Sequence, residues 1–251
     1  MTMRLLPLLL LTASLAYADE LPPTLLTTRG KLIVSENFTK PLPPFTGKPV
    51  GFASGFSGWR FNAGPATGKS GVWKLADDCF TGIESPEAHH PATASFGMNF
   101  QNAIIQCDVR LNDVPAEGRQ YRSLFVKATD ARDYVISLSV GQGGLFLTPY
   151  DGDRINPATK QREKGPVHQV LTPIKINEWH TVVLEIHGSD VVGTIDGKST
   201  TLSNPLIATD KHSFMLGAGT EASFRNLRVW ETLPNPEWPK HQTRLAAPPA
   251  K

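Results

Sequence analysis

The stretch that most constrains the fold is residues 180–200, "HTVVLEIHGSDVVGTIDGKST". Two β-branched, apolar runs meet at Gly188-Ser189-Asp190, and a second tight turn follows at Asp196-Gly197. Glycine and aspartate accept the left-handed backbone that two-residue hairpin turns require, so the stretch reads as antiparallel hairpins. The same grammar recurs in "YVISLSVGQGGLFLTPY" at 134–150, which turns through Gly141 to Gly144. Strands are predicted near 31–38, 57–61, 71–83, 102–111, 122–128, 133–140, 144–149, 179–187, 190–196, 212–218 and 222–230. Helical periodicity is almost absent, and a parallel sheet would need crossover helices for which there is little room. The economical fold is all-β, a sandwich of two antiparallel sheets. The 21 glycines and 21 prolines agree with many turns.

The first residues, "MTMRLLPLLLLTASLAYADE", have the plan of a secretory signal peptide: Arg4, a short apolar core, and Ala16-Tyr17-Ala18 as a small-x-small cleavage site. Cleavage after Ala18 predicts a secreted or periplasmic protein. Arg4 is the only charge in that segment, so the remaining 233 residues carry 24 basic and 23 acidic side chains. That near-neutral balance gives no case for nucleic acid or an anionic membrane surface. No later stretch has the length and apolarity of a membrane-spanning helix.

The expected organisation is a signal peptide at 1–18, a loose arm at 19–30, one sandwich domain at 31–231 and a Pro-rich, unstructured tail at 232–251. Within the domain, residues 41–55 form a Pro/Gly loop, and residues 151–173 form a long charged insertion of the kind that is often functional or mobile. If 71–83 and 102–111 pair, alternation points both Cys79 and Cys107 at the core. Either a disulfide, which export would permit, or two buried thiols then follows. Trp59, Trp73, Trp179 and Trp230 read as core pillars, and Trp238 as exposed.

Two constellations could carry chemistry. In "ESPEAHHPAT" (84–93), Glu84 is a candidate acid or base oriented by His89 or His90, since histidine titrates near neutral pH. Adjacent histidines on an extended chain point to opposite sides, which argues against a metal site, and no metal or cofactor is expected. The alternative is a solvated loop between strands. The second constellation is the polar strand faces: Gln106, Asp108 and Arg110 project outward from one strand, with Arg122, Asp133 and Tyr134 on others. Planar polar groups and ring faces together suit sugar hydroxyls and C–H surfaces, although an ordinary wet face is the default for an antiparallel sheet. No E-x-D-x-x-E run, nucleophile elbow, P-loop or dinucleotide fingerprint occurs.

Five segments carry a family resemblance: "SENF", "GVWKLADDCFTGIESPEAHHPA", "FQNAIIQCDVRL", "INEWHTVVLEIHGSDVVGTIDGK" and "SFRNLRVWE". In this order the chain resembles the secreted 3-keto-disaccharide hydrolase domain family and its laminin-G-like, concanavalin A-like jelly-roll relatives, over roughly residues 31–231. The resemblance implies a concave, saccharide-facing sheet and a role for Glu84 and a neighbouring histidine. The hydrolase branch carries an N-S-G-I-type strand with a G-x-E-x-Q-like segment, where this chain reads "RSLFVKATDARDYVISLSV". The resemblance therefore implies the fold more directly than the hydrolysis. Expected functions are saccharide recognition with cleavage of a (3-keto) glycoside, a non-catalytic module that binds glycan or protein at the cell surface, or a structural secreted domain. Oligomeric state is not legible.

Overall fold

The computed structural model describes residues 21–40, 58–61, 71–87, 90–114, 122–158 and 160–246. The predicted signal segment, the 41–55 loop and His89 lie outside the described residues. In chain order the strands are β1 (Thr27–Glu36), β2 (Gly58–Phe61), β3 (Gly71–Ala76), β4 (Cys79–Glu84), β5 (Ala92–Phe100), β6 (Ala103–Leu111), β7 (Ser123–Thr129) and β8 (Tyr134–Gly141). They continue with β9 (Gly144–Ile155), β10 (Arg162–Lys164), β11 (His168–Leu171), β12 (His180–His187), β13 (Asp190–Ile195), β14 (Lys198–Ser203), β15 (Lys211–Gly219) and β16 (Glu221–Pro234). A 3-10 turn, Pro205–Ala208, precedes β15, and one helix, α1 (Trp238–Ala246), follows β16.

These strands build the two-sheet antiparallel sandwich that the alternating pattern predicts. The first sheet runs β14-β13-β12-β6-β16-β4-β3, with β1 added to β16. The second runs β10-β9-β8-β7-β15-β5-β2, with β11 added to β9. The hairpin turns fall where glycine and aspartate predict them. Gly188 has φ 58°, while Asp196 and Gly197 have φ 46° and 77°. Inner faces of both sheets form one core, from Ile105, Cys107 and Val109 on β6 to Val126, Leu138 and Leu147 opposite. One end is aromatic: Trp59 meets Phe80, Phe96 and Phe214 at 5.2–6.0 Å between ring centres. Such pairs add to the transfer free energy of burying the rings.

Several expectations change. The run 71–83 is a hairpin, because Asp77 and Asp78 both adopt left-handed backbone (φ 52° and 55°) and reverse the chain. The reversal shifts the alternation. Phe80 then faces the core, whereas Thr81 bonds Ser223 at 2.8 Å on the outer face, and Cys79 shares that outer side. β4 and β6 do not pair with each other but flank β16. Cys79 and Cys107 therefore sit on opposite faces of their sheet, each a buried free thiol, and the Cys107 thiol is pushed well up by burial.

The arm is also ordered. Leu25 N, Thr27 N and Thr27 Oγ1 donate to the fully buried Glu185 carboxylate at 2.8–3.0 Å, and the first strand begins at Thr27. At the other end, β16 runs to Pro234, and α1 then occupies part of the tail expected to be unstructured. Residues 92–100, read as connection, form β5, which pairs with β15 and β2. Trp179 is not a core pillar, and Trp230 packs with Ile104 and Val183 in a second cluster outside the main core. Trp238 is half-buried. Lys211 is fully buried, and its ammonium donates to the carbonyls of Gln101, Ile207 and Thr209. Three acceptors for three donors is what permits a cation there.

Candidate functional site

The outer face of the second sheet carries the site. On β7, Leu124, Val126 and Ala128 face the core, so Phe125 and Lys127 face out. Register places Lys127 opposite Ser137 of β8, which lies opposite Thr148 of β9; the next row outward is Phe125, Ser139, Phe146. A β-bulge skips Val135 between the Ala128–Ile136 and Thr129–Tyr134 pairs. It brings Tyr134 to the outer side, where its ring lies 5.3 Å from that of Tyr150. Gly217 on β15 is what lets Phe125 lie flat, because a Cβ there would sit 1.9 Å from Phe125 Cζ.

Lys127 is the centre of this arrangement. Its Nζ lies 4.2 Å from the Phe125 ring centre, 4.2 Å from Tyr134 and 5.9 Å from Tyr150. Burial, then the charge of Lys164, pushes the Lys127 ammonium down to about 8, with Asp133 opposing. Burial likewise pushes Tyr134 up to about 12 and raises Tyr150 further, so both remain hydroxyl donors at neutral pH. Two cavities share Lys127, Tyr150 and Lys164. One of about 300 Å³ is lined also by Glu84, Phe125, Ser137, Ser139 and Thr148. The other, of about 590 Å³, is lined also by His90, Tyr134, Gln161 and Glu163.

The charged insertion builds one wall of this groove. Arg162 donates to Asp130 Oδ2 at 2.7 Å and to the Tyr134 carbonyl at 2.9 Å, and its backbone N–H donates to Asp133. Asp130 also accepts from the N–H groups of Arg132 and Asp133 at 2.8 and 2.9 Å. Burial alone would raise the Asp130 carboxyl, but the bonds from Arg162 and the two amides hold it below its ordinary value. The clamp fixes β10 across the end of β8 and so places Glu163 and Lys164 at the groove.

The residues expected to form one site divide between places. Glu84 reaches the groove, but it is buried and its Oε2 accepts the Thr220 N–H at 2.8 Å. That bond braces the β15–β16 turn, where Thr220 holds φ 65°. His90 lines the larger cavity, with Nδ1–H donating to the Pro91 carbonyl at 2.8 Å. Tyr134 is in the groove, while Asp133 sits beside it with both oxygens on backbone N–H groups. Arg122 pairs with Asp113 at 3.1 Å and with the Val114 carbonyl, and it does not line the groove.

Gln106, Asp108 and Arg110 lie on the outer face of the other sheet. Asp108 accepts from Thr181 and Asn226, each at 2.8 Å, and from Arg225 at 3.3 Å; Gln106 accepts from Arg29 at 3.0 Å. Arg110 and Arg225 sit 4.6 and 4.2 Å from the Trp179 ring centre, which explains why that tryptophan is outside the core. Gln106, Asp108, Trp179, Arg225 and Arg228 line a polar cavity of about 280 Å³, and Arg110 donates to Asn112 beside it. Phe125, Lys127, Ser137, Ser139, Thr148, Tyr150 and Lys164 were not singled out by sequence reasoning. Their signal was present as the polar or aromatic parity of three apolar strands, but it becomes a site only once register is known. Among the described residues no three His, Cys, Asp or Glu side chains converge as a metal site would need.

No family model and no curated protein sequence matches the chain. Solved structures do. A β-glucanase of Bacillus licheniformis superposes with a TM-score of 0.56 at 10% identity, over 80% of this chain and 99% of that one. A carbohydrate-binding module, CBM66, of Bacillus subtilis gives 0.53 at 12% identity, over 72% and 99%. SCLam, a non-specific endo-β-1,3(4)-glucanase of family GH16, gives 0.52 at 10% identity, over 84% and 94%. The fold is a concanavalin A-like jelly roll. At these identities the likeness is one of architecture, and the site stands on its own geometry. Among the described residues no helix is long and apolar enough to cross a membrane.

Proposed function

We propose that this is an exported carbohydrate-recognising domain whose sugar site is the groove over β7, β8 and β9. The observation that carries it is the composition of that face. Tyr134 gives half-exposed ring surface for sugar C–H groups, backed by the buried Phe125 and Tyr150 rings, while the hydroxyls of Ser137, Ser139 and Thr148 line the cavity beside it. Flat apolar surface next to a few fixed polar groups is the chemistry a saccharide needs. The outer face of the first sheet is the weaker candidate, because its acceptors are already engaged: Asp108 by Thr181, Arg225 and Asn226, and the Gln106 oxygen by Arg29. Jelly-roll structures named as a carbohydrate-binding module and as glucanases support the reading at the level of fold.

Titration calorimetry against neutral and acidic oligosaccharides tests it, with Tyr150→Ala as the groove variant and Arg225→Ala as the control on the other face. Binding that Tyr150→Ala weakens at least tenfold and Arg225→Ala leaves unchanged is expected. The opposite pattern, or no binding to any glycan, would overturn the proposal.

Cleavage of a (3-keto) glycoside, as in the family the sequence resembles, has one supporting observation: the Glu84 carboxylate lines the smaller cavity with Lys127. One of its oxygens is engaged by Thr220, so an acid/base role would fall to Oε1. Product release by the parent protein and none by Glu84→Gln, with binding retained in both, is the outcome that reading requires. Equal release from both proteins, or none from either, removes it.

A further inference from the structure

We propose, resting on the saccharide reading above, that the groove selects an anionic saccharide, with Lys127 and Lys164 holding a sugar-borne carboxylate or sulfate. The reason is an imbalance of charge that the fold itself leaves open. Among the described residues, neither ammonium has a hydrogen-bond or ion-pair partner. Lys127 is half-buried at the floor, beneath three rings, where a cation has lost much of its water. Of the acids close to it, Asp133 is committed to the amides of Tyr134 and Arg162 and Asp130 to Arg162, while Glu84 holds the Thr220 amide through Oε2 and makes no ion pair with Lys127.

Buried cations are ordinarily paired, because an unpaired charge in a partly desolvated site costs free energy. An arriving anion supplies the missing partner. The exposed Lys164, lining both cavities, adds a second positive charge at the mouth. The surrounding hydroxyls of Ser137, Ser139 and Thr148 can then hold the neutral part of the same sugar ring. A cation held at the expense of stability is the signature of a binding residue, whereas a structural lysine is one whose removal unfolds the chain. Lys211 is this protein's example of the second kind, with three carbonyl partners.

The proposal fixes a pH dependence. An anion binds the protonated ammonium, and Lys127 loses its proton near pH 8 in the free protein. Affinity is therefore level well below that value and falls as pH rises through and above it. The other titratable groups facing Lys127 are His90, Glu84, Asp133, Tyr134, Tyr150, Glu163 and Lys164. The two tyrosines titrate far above 8, so neither produces a loss between 8 and 9, and Lys127→Met separates the Lys127 contribution from that of the remaining groups.

The experiment is calorimetric titration of wild type, Lys127→Met and Lys164→Met with oligouronates, sulfated oligosaccharides, neutral gluco-oligosaccharides and sodium sulfate, at pH 7 and pH 9. Melting temperatures of the ligand-free proteins are recorded beside it. Expected are binding of oligouronate or sulfated sugar, a loss of roughly ten- to a hundredfold in Lys127→Met, a smaller loss in Lys164→Met, and weakening from pH 7 to 9 in wild type and Lys164→Met but not in Lys127→Met. Uronate and sulfate arms identify which anion the site takes. Lys127→Met should melt at or above the wild-type temperature. Binding of neutral sugars with no preference for acidic ones overturns this inference and leaves the saccharide reading standing. No binding of any glycan overturns both. A melting temperature well below wild type in Lys127→Met would show a structural lysine and also overturn it, as would equal affinity for sodium sulfate alone.

Discussion

Replacing Arg162 with methionine tests how the groove wall is held. The Arg162 and Asp130 side chains are 1% and 7% exposed and meet at 2.7 Å, and Arg162 also donates to the Tyr134 carbonyl. Removing one member of a buried pair leaves the other charge without its partner, at a cost of about 3–5 kcal/mol. The two backbone amides that still reach Asp130 place the expectation at the lower end, about 3 kcal/mol. For a domain of this size that corresponds to a melting temperature lower by roughly 6–12 °C. Adding Asp130→Asn removes the orphaned charge while keeping an acceptor for the amides, so the double variant should recover at least half the loss.

The pH profile gives an independent check. Asp130 has its carboxyl depressed in the fold, so its contribution is complete above the ordinary carboxylate range and is lost as pH falls through the depressed folded value. Arg162→Met should flatten that acid limb. Urea denaturation from pH 2 to 7 reads both effects. A single variant within 1 kcal/mol of wild type, or a double variant as unstable as the single, would refute the clamp.

Further outcomes follow from other sites. Lys211→Met strands three buried carbonyls and should cost at least about 3 kcal/mol in urea unfolding, while an unchanged midpoint would contradict the three-acceptor seat. Thiol titration should find no reactive cysteine in the native protein and two in denaturant without reductant, whereas none in denaturant would establish a disulfide. Gly217→Ala pushes a methyl into Phe125 and should destabilise by about 1–3 kcal/mol while abolishing sugar binding. Adding Phe125→Leu should restore the stability and not the binding. Full recovery of binding would show that Phe125 is not part of the sugar surface.

Much of the fold was legible because period-2 alternation and turn residues are local signals. Gly188 and the Asp196-Gly197 pair announce their turns to a reader who knows only that these residues tolerate left-handed backbone. Asp77-Asp78 was missed because aspartate fills that role less visibly than an Asn-Gly pair, and one overlooked reversal put Cys79 on the wrong face. β5 was missed for a related reason: "ATASFGMNF" is built of small residues and glycine, whose seat beside β15 is set by packing from both sides. Glu84 and Tyr134 were legible as candidates, since a carboxylate and a phenol on otherwise apolar strands stand out. Lys127 was not, because a lysine on an outward parity looks like any solvated face until register sets three rings around it. Gln106, Asp108 and Arg110 look equally functional in sequence, and only the network with Arg29, Thr181, Arg225 and Asn226 shows that the Gln106 and Asp108 acceptors are already engaged.

Amide chemical-shift mapping during titration with an acidic oligosaccharide addresses the location of the site in one experiment. A sugar seated on the second sheet should move the amides of 123–129, 134–141, 146–150 and 162–164 together, and leave those of 104–110 and 223–228 in place. Shifts concentrated in the latter set, around Trp179, would place recognition on the opposite face and contradict the account.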